Sequence, residues 1–389
     1  MEPMVDASGN KHYITERIAS DGQGVLYATK NTDIIVRDAQ GRKGDLKRYN
    51  YARILPLSDI ENLLLPIDYL EAPHVGYVIN IPKGYVPLTT MMNAGNDKAE
   101  DFYLKTGGFK RRLSILAEIA KVLIRLHALP LMYGSMAPGR IFISSRASDM
   151  GARLLYSVKM DFSMGFLEEM DADPYIAPEA QRGQGSTIAS DSYSFGALVY
   201  DLLTMQGTQN VLPAEIKELL DKSQAEPPDR PKIIDFYRLF LQQLDFLLSC
   251  KSCLADYYYD NAACPKCGSP PPKTLKATIY DQVEENTIDR GVKILELGAN
   301  RQCFWNYQTD NVLLDDALEP RIDCVLNVSG DRKLHLTFRN LMDKDININD
   351  KTVAAGQGTV VALPCELISI KFNLYAATQR CIDMVMVWQ

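Results

Sequence analysis

Residues 250–269 read CKSCLADYYYDNAACPKCGS, and their four cysteines stand as two Cys-x-x-Cys pairs: Cys250 with Cys253, and Cys264 with Cys267. A segment this short cannot bury a core of its own, so another term must hold it together. Two symmetrical pairs suit tetrahedral coordination of one metal ion by four thiolates, whereas a redox dithiol uses a single couple. With sulfur in all four positions the site reads as structural. Zinc is the expected cofactor, supplying the module's folding free energy, of order ~10 kcal/mol or more. Cys303, Cys324, Cys365 and Cys381 are scattered through the last quarter of the chain. They read as small core residues, not as a disulfide framework.

The cysteine module also divides the chain. GSPPPK, residues 268–273, follows it as a proline-rich joint. Ahead of it, His12 to Ile81 is strand-like and punctuated by glycine, as in YITERIASDGQGVLYATK, TDIIVRDA and VGYVINI. One helical stretch, DLKRYNYARILPL, interrupts this region with Leu46, Tyr49, Ile54 and Leu57 at helical spacing. From about Val86 the signal is helical: FKRRLSILAEIAKVLIRLHAL puts Leu113, Leu116, Ala117, Ala120, Leu123, Ile124 and His127 on one face. Beyond Lys273, alternating segments such as LHLTF, DININD and LISIKF, with SGDRK and AAGQG as turns, predict an all-β sandwich. The expected organisation is therefore a tail at 1–10, a two-part region at 11–248, a zinc ribbon at 249–269 and a β-sandwich at 270–389.

At 389 residues and 46% hydrophobic content the chain has room for about two to three folded domains. A net charge of -7 gives no general attraction for nucleic acid or anionic lipid. The hairpin LADYYYDNAA is acidic and aromatic, so Tyr257, Tyr258 and Tyr259 read as packing or a protein contact. MEPMVDASGN lacks the basic and apolar segments of a secretion signal, and no apolar run approaches the ~18 residues of a membrane helix. A cytoplasmic protein is expected, with no membrane association.

Several motifs between 11 and 248 fall in a telling order: SDGQGVLY, IIVRDA, RLHAL, YGSMAPGRIFIS, KMDFSMG, APE, SDSYSFG and DRPKIIDF. Together they resemble the protein kinase superfamily, in particular bacterial Ser/Thr kinase-like chains. The resemblance implies an α+β, bilobal kinase-like fold with an N-lobe at 11–85 and a C-lobe at 86–248. It places Gly22 and Gly24 over the nucleotide phosphates, where glycine lets the backbone come close. Arg37 falls where such proteins carry a phosphate-gripping lysine, and a planar guanidinium does not replace a point charge there. Lys30, one strand earlier, is the alternative cation. Between Asp45 and Asp59 there is no acid to pair with either.

The same alignment puts Ser135 at the catalytic Asp position and Arg140 at the metal-binding Asn position, so no catalytic residue is intact. Serine near neutral pH is no general base, a role typically worth ~10²- to 10⁴-fold in rate. A cation at 140 repels a second Mg²⁺. Asp161 keeps the position that holds the first Mg²⁺, leaving Mg-ATP open as a cofactor, while Ser163 replaces the usual glycine. No Ser or Thr follows between Met164 and Ile176, and Ala172 stands where a Thr is usual. Glu179, Asp191 and Arg230 match the structural motifs, with Glu179 and Arg230 expected to pair.

LTFRNLMDKDININDKTVAAGQGTVVAL, at 336–363, is similar to later strands of forkhead-associated or immunoglobulin-like domains. The expected function is a pseudokinase scaffold or allosteric regulator in a bacterial phospho-signalling or stress-response system. The resemblance implies as partners a von Willebrand A-type protein and a metal-dependent, 2C-type protein phosphatase. Two alternatives stay open. One is an atypical kinase or nucleotidyl transferase using the glycine-rich turn and Asp161; the other is a zinc-ribbon nucleic-acid binder.

Overall fold

The computed structural model describes residues 2–21, 24–39, 54–157, 159–162, 173–205, 212–298, 301–314, 316–328, 333–375 and 377–387. The chain mixes helices and sheets and divides into two compact units, Met1–Phe240 and Leu241–Gln389. The division falls inside a helix near 240, ahead of the boundary expected after 248. No described helix is long and apolar enough to cross a membrane.

The first unit opens on a hairpin in which Met4–Val5 pairs with Lys11–His12. Within the stretch expected as a tail at 1–10, Met4–Val5 is therefore a strand. Met4 and Asp6 are buried, and the Asp6 carboxylate accepts the Ser8 and Asn10 amides and the His12 ring. An aspartate that gathers the amides just downstream makes the chain turn back on itself.

Five antiparallel strands follow: β1 (Ile14–Asp21), β2 (Gly24–Thr29), β3 (Ile34–Asp38), β4 (Pro66–Tyr69) and β5 (Gly76–Asn80), in the order β1-β2-β3-β5-β4. Val25, Leu26, Ile35, Val36, Tyr77, Val78 and Ile79 are buried in and around this sheet. Two glycines allow its strands to close on β3. A Cβ on Gly24 would strike the Asp38 carbonyl oxygen, and one on Gly76 would strike that of Arg37. Most of the helix expected at 45–57 lies outside the described residues; its end at 54–57 is a turn that buries Leu55 and Leu57.

The helical part is built on α1 (Gly108–Ala128), α2 (Ile188–Thr204) and the start of α3 (Ile233–Asp245). In α1 the expected stripe is buried at Leu113, Leu116, Ala117, Ala120 and Leu123, and Ile115, Ile119, Val122 and Leu126 are buried as well. A helix covered on most sides belongs to the interior of its unit. Thr187 caps α2 by accepting the Ala189 amide, while the Ser190 hydroxyl accepts the Thr187 amide. Phe195 of α2 meets Phe236 and Phe240 of α3 edge-on, with ring centroids 5.3 and 6.2 Å apart. Between α1 and α2 lie four short strands: β6 (Leu131–Met132), β7 (Ile141–Ser144), β8 (Ala152–Leu155) and β9 (Asp161–Phe162). β6 pairs with β9 and β7 with β8.

In the second unit β10 (Leu247–Ser249) pairs with β11 (Asp256–Tyr258) at the cysteine module. The rest is two antiparallel sheets. One holds β12 (Thr274–Val283), β13 (Asn286–Glu296), β17 (Ile346–Ile348), β18 (Lys351–Val353), β20 (Ile368–Tyr375) and β21 (Thr378–Val387), in the order β13-β12-β21-β20-β17-β18. The other holds β14 (Gln302–Trp305), β15 (Pro320–Val328), β16 (Leu334–Asn340) and β19 (Gly358–Ala362), in that order. Both contribute to one apolar core, with Ile279, Ile370 and Ile382 from the first and Phe304, Leu336 and Phe338 from the second. Inside it Arg380 is fully buried and paired with Asp281 at 2.5 Å. Cys303, Cys324 and Cys381 are buried free thiols, and Cys365 is half-buried.

Substituting Gly76→Ala forces a methyl into the Arg37 carbonyl and is expected to cost about 1 to 3 kcal/mol or more. Chemical denaturation of the full chain checks this. An unchanged midpoint would contradict the close β3–β5 approach.

Candidate functional site

The segment from 127 to 140 is organised by one carboxylate. Asp191 is fully buried in the first turn of α2. Its Oδ2 accepts the Tyr133 amide at 2.6 Å, its Oδ1 accepts the Gly134 amide at 2.8 Å, and His127 Nε2 approaches Oδ2 at 3.0 Å. A carboxylate only accepts, so His127 carries its hydrogen on Nε2. The Tyr133 hydroxyl donates to the Leu155 carbonyl at 2.6 Å, tying the loop to β8. Gly134, with φ of 93°, brings its backbone against Lys159: a Cβ there would lie 2.9 Å from the Lys159 Cβ. That approach accompanies the pairing of Met132 with Asp161 between β6 and β9.

Ser135 follows directly, 1% exposed, its hydroxyl making no hydrogen bond among the described residues. Arg140 is 2% exposed and donates to the Ser157 hydroxyl at 3.2 Å. That hydroxyl also accepts the Lys159 amide at 3.2 Å. One Asp161 carboxylate oxygen accepts the amide of the next residue, Phe162, at 2.8 Å. The loop thus offers a buried neutral hydroxyl, a buried guanidinium and a half-buried carboxylate that is partly engaged by its own backbone.

The other sequence-selected residues separate. Arg37 is buried on β3, opposite Leu26 and Tyr77. Lys30 lies past the end of β2, exposed, with its Nζ 4.9 Å from the Tyr13 ring, so it does not substitute for a cation on β3. Gly24, with φ of 124°, packs against the Asp38 backbone, a structural use of a glycine selected for phosphate binding. Gly22, Ser163 and Ala172 lie outside the described residues. Sequence reasoning placed His127 only on the buried face of a helix; its partner is distant in sequence and reached only through the fold. It also missed Ser157, which no motif marks.

Glu179 and Arg230 form a two-pronged pair at 2.6 and 3.0 Å, reinforced by the Ser190 hydroxyl at 2.8 Å from Glu179. Burial pushes the Glu179 carboxyl up, but Arg230 and Ser190 outweigh it and hold the group below the usual carboxylate range.

The four cysteine sulfurs at Cys250, Cys253, Cys264 and Cys267 lie within 4.8 Å of one another. Cys250 and Cys267 are 3.5 Å apart, and Cys253 and Cys264 are 3.6 Å apart. Tetrahedral coordination at ~2.3 Å from each sulfur requires sulfur–sulfur edges of about 3.8 Å, so the cluster fits a metal ion such as zinc. The two knuckles repeat one backbone pattern: Leu254 N–H donates to the Cys250 carbonyl as Gly268 N–H does to that of Cys264, at 2.9 and 2.8 Å. Hydrogen bonds from the Ser269 side chain and backbone lower the Cys267 thiol, while the neighbouring cysteines push Cys253 up, as expected where four thiols crowd together with no cation among them.

No family model matches the chain. Part of it is 32% identical over 107 residues to the serine/threonine-protein kinase pkn2 of Myxococcus xanthus, covering 24% of this chain and 12% of that protein. Another match, 31% identical over 106 residues, is to protein kinase 2 of Dictyostelium discoideum and covers 26% and 22% respectively. The chain therefore spans less than a quarter of each of these relatives. These partial similarities support a kinase-like relationship.

Replacing Arg230 by Ala strands the half-buried Glu179 carboxylate and is expected to cost about 1 to 3 kcal/mol at pH 7. Glu179 is depressed in the fold, so its contribution is present above the unfolded pKa of about 4.3 and disappears as pH falls through the lower folded value. Urea unfolding at pH 7 and pH 3 measures both. The Arg230→Ala penalty should shrink at pH 3; an equal penalty at both would show that the ion pair is not its source.

Proposed function

We propose that this chain is a pseudokinase: a kinase-like scaffold, with N- and C-lobes, whose phosphoryl-transfer groups are gone. The observation that carries the reading is the contrast around Asp191. Its carboxylate grips the Tyr133 and Gly134 amides, while the next residue is a buried serine where the resemblance calls for a general base. Arg140 places a guanidinium on Ser157 where the resemblance calls for a metal-binding amide. A loop shaped this way has lost the proton acceptor and gained a charge that opposes Mg²⁺.

In this reading the four-cysteine module is a structural zinc ribbon and the two-sheet region a β-sandwich that binds a protein partner. The chain then works as a scaffold or allosteric regulator in phospho-signalling or stress response. Candidate partners are a von Willebrand A-type protein and a 2C-type phosphatase, through the resemblance set out above.

Thermal unfolding with millimolar ATP, with and without Mg²⁺ or Mn²⁺, tests the loss of chemistry. We expect no shift in Tm and no transfer of labelled phosphate. A Mg²⁺-dependent shift abolished by Asp161→Ala, accompanied by transfer, would establish the atypical enzyme instead. Metal analysis of the purified chain should find one zinc, and Cys264→Ser should lose it and destabilise residues 247–269. A metal-free protein with the wild-type Tm would refute the structural role.

A further inference from the structure

We propose that a groove lined by His127 binds a small aryl carboxylate carrying a ring N–H, and that its occupancy is felt at residues 133–134 through Asp191. The inference goes beyond the pseudokinase reading and does not depend on it, since no residue assigned to phosphoryl transfer lines the groove.

The groove lies within the first unit, where the end of α1, the first turn of α2 and residues 227–234 meet, and its volume is about 410 Å³. Sites for small molecules run from roughly 300 to 1,000 Å³ and are mostly apolar, with a few placed polar groups. The walls here follow that pattern, with Ile124, Ile188 and Ile234 beside Pro227, Pro228 and Pro231. Ile188 is 37% exposed, a large apolar side chain left open to solvent at the start of a helix. Proline rings and aromatic rings pack well against each other, which makes the body of the ligand aromatic.

The polar groups define the rest of the ligand. His127, Arg230 and Lys232 line the groove, and no aspartate or glutamate does. The acids nearby are engaged elsewhere: Asp191 holds the Tyr133 and Gly134 amides, Glu179 holds Arg230, and Asp235 accepts the Lys232 amide at 2.9 Å. The exposed Lys232 ammonium forms no ion pair among the described residues. The charge that complements this lining is a carboxylate. Ser192 is 2% exposed and its hydroxyl reaches only the Ile188 carbonyl, at 3.5 Å. An O–H···O bond is normally about 2.5 to 3.0 Å long, so this buried hydroxyl lacks a good partner. His127 carries its hydrogen on Nε2, so Nδ1 of the neutral ring is an acceptor, and it has no hydrogen bond among the described residues. A ring N–H on the ligand answers it.

The same histidine ties the groove to the loop. A donor on Nδ1 polarises the ring and strengthens its Nε2 hydrogen bond to Asp191. With the ring fixed, the carboxylate that accepts the Tyr133 and Gly134 amides is fixed as well.

Calorimetric titration of the full chain with millimolar indoleacetate, paired with hydrogen exchange read by mass spectrometry, tests the proposal. Indoleacetate should bind saturably, whereas tryptamine, which keeps the indole and reverses the charge, should not. N-methylindoleacetate, lacking the N–H, should bind about threefold or more weakly. Lys232→Ala should weaken binding about twofold to fivefold. Ile188→Glu sets a carboxylate at an exposed position of the groove and should abolish binding; if it does not fold, Lys232→Glu replaces it. Bound indoleacetate should slow exchange of the Tyr133 and Gly134 amides about threefold or more. Absent binding, equal binding of tryptamine, or binding untouched by both groove variants would overturn the site. Binding that leaves the two amides unchanged would overturn the link through Asp191.

Discussion

The buried Asp191 carboxylate fixes the central segment of the first unit. Two backbone amides and a histidine ring converge on it. Hydrogen bonds to a buried charge are worth about 1.5 to 3 kcal/mol each, and leaving their donors unpaired costs as much again. Because Asp191 sits in the capped first turn of α2, it transmits the position of that helix to residues 133–135, and through Tyr133 to β8. Residues 133–140 are thus placed by the fold, whatever chemistry they carry.

In the proposed reading, this separation of frame from chemistry accounts for which motif residues match the kinase pattern and which do not. Asp191, Glu179 and Arg230 are buried or half-buried, and each has several partners, so altering one strands the others. Ser135 and Arg140 sit in the same frame as buried side chains of other kinds. A serine fits the buried position after Gly134, and Arg140 finds Ser157 as a neutral partner. Gly24 and Gly134 both serve close backbone approach. Gly24, which suggests a phosphate cradle in the sequence, is a place where one strand rests on another.

The sequence made some of this legible and hid the rest for physical reasons. The cysteine pairs were readable because metal coordination imposes a short local spacing. The stripe of α1 and the alternation of LHLTF and DININD were readable because burial follows the period of the backbone. The opening hairpin was missed because the five small or polar residues between two short strands look like a tail; only the convergence of amides on Asp6 makes them a turn. His127–Asp191 and Arg140–Ser157 were invisible for a different reason. Each joins residues far apart in sequence, and no residue type marks the pairing.

Unfolding of the full chain carrying Asp191→Asn probes the account at its centre. The amide keeps the size of the side chain but turns an N–H₂ toward groups that are themselves donors. A loss of about 3 kcal/mol or more at pH 7, by urea titration against wild type, is the predicted result. A wild-type midpoint would mean that the loop from 133 to 135 is held by something other than this carboxylate, and would contradict the account.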